Sequence, residues 1–326
     1  MTKIQKVEIS HKTIIFTVLF LIFLWFLYYI KDIILAFFVS LLVMAILNPT
    51  VTKLTKHKIP RVVSVVLIYF LVFGVFGLLV ATLTPVVVDQ TASFVSNLPK
   101  LVDNIPFLSG FGDQVVNQFI TEVVSVPGQL AKVTLSVFSN LIGVFSVLVF
   151  SFYLILARSE LEDQIGFFVG AERKERIGKV LNLLEVKLGG WARGELILML
   201  VIGTVTYIGF RLIGLPYALP LAILAGFLEI VPTIGPTIAA LPPLIIGFVV
   251  SPITGLATVA LAFLVQQTEN YLLVPRIMQS SVGLNPIITL LSLAIGFRLA
   301  GVIGAIISIP LVVAAKVILQ DYYHLK

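Results

Sequence analysis

Four polar side chains stand deep in otherwise apolar stretches of this sequence: Glu229, Gln266, Glu269 and Arg298. An ionisable group at the centre of a bilayer costs about 2.5–3.5 kcal/mol on insertion scales, so it calls for a partner, water or a function. Glu229 precedes Pro232-Thr233-Ile-Gly235-Pro236-Thr237, where two prolines and a glycine break an apolar run over residues 221–250. Arg298 lies in a second break, Gly296-Phe-Arg298-Leu-Ala-Gly301, inside the apolar run 287–315. Broken helices occur at membrane depth only where they line a cavity or are buried in protein, and their freed carbonyls can coordinate cations. The chemistry on offer is therefore ion or proton binding. Glu229 would titrate or hold a cation such as Na+, with Arg298 as counter-charge; the plainer alternative is a fixed Glu229–Arg298 ion pair. The hydroxyls of Thr233 and Thr237 either join that coordination or re-satisfy backbone disrupted by proline. Gln266, Gln267 and Asn270 cluster on the next span. Gln266 and Asn270, at i and i+4, share a helix face and either line a pathway or bond a neighbouring helix. Glu269 and Arg276 fall toward the inner end, where long side chains snorkel to the interface.

Enzyme chemistry finds little support. Gly110-Phe-Gly112-Asp113 matches the GxGD string of intramembrane aspartyl proteases. That mechanism needs two carboxylates sharing a proton, and no second aspartate falls in an expected span, so a turn is the better reading. No cysteine is present, which removes disulfides, thiolate metal sites and cysteine nucleophiles. His11, His57 and His324 have no metal-ligand spacing, and no phosphate loop, HExxH or GxSxG occurs. No enzyme, no cofactor and no ATP-driven pump is expected.

The elements that would position these groups are membrane helices. The chain is 59% hydrophobic and 12% charged with mean hydropathy +1.11, where soluble domains are about 45–50% apolar and about 25% charged. The fold expected is all-α and polytopic: about six full transmembrane helices plus two opposed re-entrant hairpins, or eight or more spans if the hairpins cross. Residues 1–84 form N-terminal spans, the third over 62–83 and ending at Thr84-Pro85. Residues 85–132 are acidic and punctuated by Gly, Pro and Asn, and read as short amphipathic helices outside the membrane. Residues 133–157 span back. Residues 158–194 hold an amphipathic helix with the stripe Ile177, Val180, Leu181, Leu184 and Leu188, suited to a membrane surface or a subunit contact. Residues 195–326 hold the region with the two broken hairpins. Net charge +6 raises nucleic acid as a partner, but the basic residues sit in short loops beside apolar runs, so a bilayer is expected and nucleic acid is not. Lys53, Lys56, Lys58 and Arg61 in one acid-free loop put that loop and both termini in the cytoplasm by the positive-inside rule.

Four ordered motifs in the C-terminal third carry a resemblance. Glu229-Ile-Val-Pro-Thr-Ile-Gly-Pro236 with Leu241-Pro242, then Gln267-x-x-Asn270-Tyr-Leu-Leu-Val-Pro275-Arg, Gly283-Leu-Asn-Pro286, and Gly301-x-x-Gly304-Ala-x-x-x-x-Pro310, are similar to those of the AI-2E family, the autoinducer-2 exporter family of bacterial and archaeal membrane proteins. The layout, with Trp191-Ala-Arg-Gly194 after a basic helix, extends the resemblance over nearly the whole chain. The resemblance implies a secondary transporter of the cell membrane. It would export a small polar solute of the autoinducer-2 kind, or exchange sodium or lithium for protons with Glu229 as the coupling group. It also implies a homo-oligomer, a pentamer. The rival class is a non-transporting membrane scaffold whose helices bind partners.

Overall fold

The computed structural model describes residues 11–103, 141–158, 160, 164, 167, 170–232, 234–278 and 285–323. Among them every regular element is a helix. Five are long and apolar enough to cross a membrane by length and composition: His11–Tyr29, Lys31–Lys56, Arg61–Gln90, Lys174–Ile213 and Ile287–Asp321, with shorter apolar helices between.

The first unit joins α2 (Lys31–Lys56), α3 (Arg61–Asp103) and α4 (Leu141–Ala157) around Met44, Leu47, Val51, Val65, Ile68 and Ile155. Tyr69 and Ser151 bond across it at 2.6 Å. The helix α1 (His11–Tyr29) buries no residue and presents Phe16, Phe23, Trp25 and Tyr29 outward, as a lipid-facing span would. α2 is shaped by its charges and by one proline. Asp32 lies in its first turn and Lys53 and Lys56 in its last, which suits the helix dipole. Pro49 has no N–H to give to the Ala45 carbonyl one turn back. The Arg193 guanidinium supplies the missing donor, at 2.8 Å from the Ala45 oxygen and 3.2 Å from that of Ile46. Gly189 makes the approach feasible, since a Cβ there would strike the same carbonyl.

α3 departs from the expectation that its span ends at Thr84-Pro85: the helix continues through both residues to Asp103. Proline is tolerated inside long membrane helices when its freed carbonyl finds another donor. The amphipathic helices expected beyond residue 103, and Asp113, lie outside the described residues. A second boundary also differs. No break separates the expected surface helix from the following span, because α5 (Ala171–Ile213) is one helix of 43 residues. It stops at Gly214, whose left-handed φ of 75° lets the Leu215 N–H reach back to the Phe210 carbonyl at 2.9 Å. The stripe on its first half is covered within the chain at one end, while Ile177, Val180 and Leu181 line a groove beside Arg176 and Asp321. Leu184 and Leu188 pack with Ile309 and Val313 of the last helix, and Arg176 pairs with Asp321 at 2.7 Å.

The first hairpin is α6 (Ala218–Leu228) and α7 (Ile234–Val250). Leu221 and Ala222 pack on Ile246 at its open end, while Gly235 abuts the Leu228 carbonyl at its tip. The two arms are thus antiparallel. The 11 residues of α6 cover about 16 Å at 1.5 Å per residue, about half a bilayer core. α8 (Pro252–Thr268) starts on a Ser251 cap with Pro252 in the first turn. It runs into a π-helical turn, Glu269–Leu273, and then α9 (Val274–Ile277).

The last helix, α10 (Pro286–Tyr323), is also a hairpin. Ala300 and Gly301 leave helical geometry, Gly301 with φ 59° and ψ −145°, a region open to glycine. The arms fold back so that a Cβ on Gly296 or Gly304 would collide with the other's backbone. Eight residues of straight helix would hold those glycines about 12 Å apart. Asn285 caps the first arm, accepting from the Ile287 N–H at 2.9 Å.

Candidate functional site

α5 is the wall against which both hairpins end. Gly226 of α6 sits on the Met199 carbonyl and Gly203. One more turn brings Glu229 down beside the turn of α5 that carries Glu195. α8 packs on the same helix, with Leu261 against Gly209, and past its π turn Met278 lies against Gly194. The α5–α10 register, fixed by Arg176–Asp321 and by Trp191 clustered with Ile309, brings Gly301 to the same level.

Three carboxyls meet there. Glu229 is 2% exposed, Glu195 4% and Glu269 5%. The Glu229 and Glu269 carboxyls lie within reach of each other, and Gln266 donates to Glu269 Oε2 at 3.2 Å. Two buried carboxyls this close favour sharing one proton over both being ionised. Glu195 interacts electrostatically with both others. Glu195 Oε1 and Glu229 Oε2 are buried without a hydrogen-bond partner among the described residues. No ion pair among those residues includes any of the three. Three ionised carboxylates cannot be held in such surroundings uncompensated. The arrangement can therefore bind and release protons, or take another small cation in their place. Among the described residues no group of three His, Asp or Glu side chains is disposed as a metal site. A cation here would have to draw on backbone carbonyls freed at the break.

The π turn is what delivers Glu269. An extra residue in the turn rotates the chain after Thr268, so Glu269 is buried while Asn270 is exposed. The face expected to be shared by Gln266 and Asn270 is divided for the same reason. Gln266 and Gln267 are half-buried. Pro232 and Pro236 are half-buried in the tip, Gly235 is buried, and Thr237 is exposed. Thr233 lies outside the described residues. Gly301 and Arg298 are exposed, and the charges that act on Glu229 are those of Glu269 and Glu195 rather than of Arg298. Glu195 was absent from the sequence-based candidates because it reads as the first residue of a span. The signal for it is that no helix breaker separates it from the amphipathic stretch before it.

A separate cavity of about 490 Å³, lined by Asp89, Tyr207, Arg211 and Tyr217, lies at the Gly214 end of α5. Its Arg211 is 16 residues along α5 from Glu195, about 24 Å by helix rise.

Helices of this length and apolarity, with two hairpins that stop at a buried carboxyl cluster, define a multi-pass membrane protein. The family model for AI-2E family transporters matches residues 14–324, and the chain belongs to that family. It is similar to three candidate transport proteins: YueF of Bacillus subtilis, 26% identical over 83% of this chain and 79% of YueF; MT0215 of Mycobacterium tuberculosis, 27% over 89% and 83%; and YhhT of Escherichia coli K12, 26% over 88% and 84%. The protein is accordingly a membrane transport protein.

Proposed function

We propose that this chain is a secondary transporter of the cell membrane, with both termini cytoplasmic, that couples solute movement to a proton held between Glu229 and Glu269. The observation that carries the reading is the close approach of two buried carboxyls, Glu229 at a hairpin tip and Glu269 in a π turn. Both are broken elements, the kind that can shift when occupancy changes. The cargo is a small polar solute of the autoinducer-2 kind, exported. A second reading is exchange of Na+ or Li+ for protons at Glu229, favoured by the unpartnered Glu229 Oε2.

The test uses everted membrane vesicles with an interior pH dye, energised and then given autoinducer-2, Na+ or Li+. Wild type should release protons with one of these, and Glu229→Gln should lose that response by at least about a hundredfold. An undiminished response in the variant would remove Glu229 from the coupling step.

A further inference from the structure

Resting on the reading of Glu229–Glu269 as the proton-holding pair, we propose that Glu195 is the relay through which that proton exchanges with the cytoplasm. Glu195 is 4% exposed and its Oε1 has no partner among the described residues. It interacts with both members of the pair, and it lies one helical turn nearer the Ala171 end of α5 than Met199, where α6 packs. With the termini cytoplasmic, that is the cytoplasmic side.

The charged groups around it leave it free for this role. From the hairpin tip it meets Glu229, and from the π turn Glu269. Gln266 of α8 is bonded to Glu269. Arg193, two residues away on α5, is engaged with the Ala45 and Ile46 carbonyls. Arg276 and Arg298 are exposed. Next to Glu195 on α5, Gly194 is covered by the Met278 thioether and the Ile277 side chain. Methionine is unbranched and adaptable, and Met278 lies just past the end of α9, so its side chain can swing aside.

The step balances simply. Glu195, neutral at rest, gives its proton to water past Met278; the O–H of the pair then breaks as an O–H forms on the Glu195 carboxylate. One proton has left, the pair carries one further negative charge, and Glu195 is neutral again, so three bare carboxylates never coexist.

The experiment follows protons themselves, so it needs no solute. The full chain in lipid nanodiscs is stepped to alkaline pH with a soluble indicator dye, and the rate and amplitude of proton release are recorded. Glu195→Gln should slow release by about a hundredfold, and added formate, a small diffusible acid–base pair, should restore the rate in proportion to its concentration. Glu195→Asp should fall between. Met278→Ala should speed release in the wild-type background and leave the Glu195→Gln rate unmoved. The Met278 and Glu195→Asp variants keep the test open if Glu195→Gln does not fold. A Glu195→Gln rate within twofold of wild type, or one that formate does not raise, overturns the relay. Glu229→Gln separates the two ideas: if it leaves release unchanged, the pair fails and the relay with it. If it lowers the amplitude while Glu195→Gln keeps the wild-type rate, only the relay fails.

Discussion

The chain buries two polar clusters against α5, and they are built in opposite ways. One joins Asn48, Arg61, Arg158, Asn182 and Glu185. Arg158 bonds Glu185 at 2.7 Å and also Asn182, Asn48 bonds Glu185, and Arg61 reaches Asn48 and the Ile155 carbonyl at 2.9 and 2.8 Å. On α5 its members continue a stripe, Asn182, Glu185, Gly189 and Arg193, that faces α2. The other cluster holds Glu195, Glu229 and Glu269, with like charges, two unpartnered oxygens and no bonded cation among the described residues. A satisfied network has one low-energy arrangement and acts as a clamp between the N-terminal helices and α5. An unsatisfied one is completed by something that comes and goes. The contrast separates the part that holds the protein together from the part that works.

The largest effect expected from that contrast is on stability at the clamp. Glu185→Leu removes an acceptor from both Arg158 and Asn48 and breaks the buried ion pair of a guanidinium that is 9% exposed in its side chain. Breaking one partner out of a buried pair costs about 3 kcal/mol or more. Thermal unfolding in detergent, followed by size-exclusion chromatography, should show a clear fall in midpoint. Glu229→Gln should do the reverse: abolish coupled flux yet change stability by less than about 1 kcal/mol, because no cation is stranded and an amide can still bond Glu269. If Glu229→Gln destabilised as much as Glu185→Leu, the acidic cluster would be another clamp and the contrast would fail.

The two clusters were unequally legible in the sequence. Both breaks were, since Pro232, Gly235, Pro236 and Gly301 interrupt apolar runs with residues whose backbone chemistry does not depend on context. Glu229 was legible for the same reason. Glu269 stood out as a polar residue in an apolar run, but its expected snorkelling to the inner interface is wrong: it is 5% exposed, placed by a π turn that leaves no local signature. The clamp could not be read at all: Asn48 and Glu185 are 137 residues apart, and spacing rules reach only a turn or two. The apolar stripe from Ile177 to Leu188 was visible, but that the chain's own last helix packs on its Leu184 and Leu188 is a tertiary fact. The continuity of α3 past Pro85 was not legible either, because a proline marks a break less strictly in a long membrane helix than in a soluble one.

A smaller effect tests how the clamp meets the broken turn of α2. Arg193→Met leaves the Ala45 carbonyl without the donor that Pro49 denies it. An unsatisfied buried carbonyl costs about 2 kcal/mol. Pro49→Ala gives α2 back its own N–H, so in that background Arg193→Met should cost about half as much, the remainder reflecting the lost bond to Ile46. Equal costs in both backgrounds would mean that Arg193 acts through packing rather than by serving the freed carbonyl.

The smallest effect is the most discriminating. Arg176–Asp321 has the same 2.7 Å contact as Arg158–Glu185, but its side chains are 43% and 33% exposed against 9% and 13%. Arg176 donates to Asp321 Oδ2 from two nitrogens, at 2.9 and 2.7 Å, so geometry alone would rank it with the clamp. Water decides otherwise. An exposed pair loses its solvation advantage and most of its Coulomb energy to screening, and contributes about 0.5 kcal/mol or less. Asp321→Asn should therefore move the unfolding midpoint barely at all in low salt and not measurably in about 1 M salt, where the screening length falls to about 3 Å. Glu185→Leu should keep its full cost in both. A salt-insensitive loss at Asp321 as large as that at Glu185 would mean that contact distance, not exclusion of water, sets the strength of these pairs, and the reading of the buried acidic cluster as the working part would lose its physical basis.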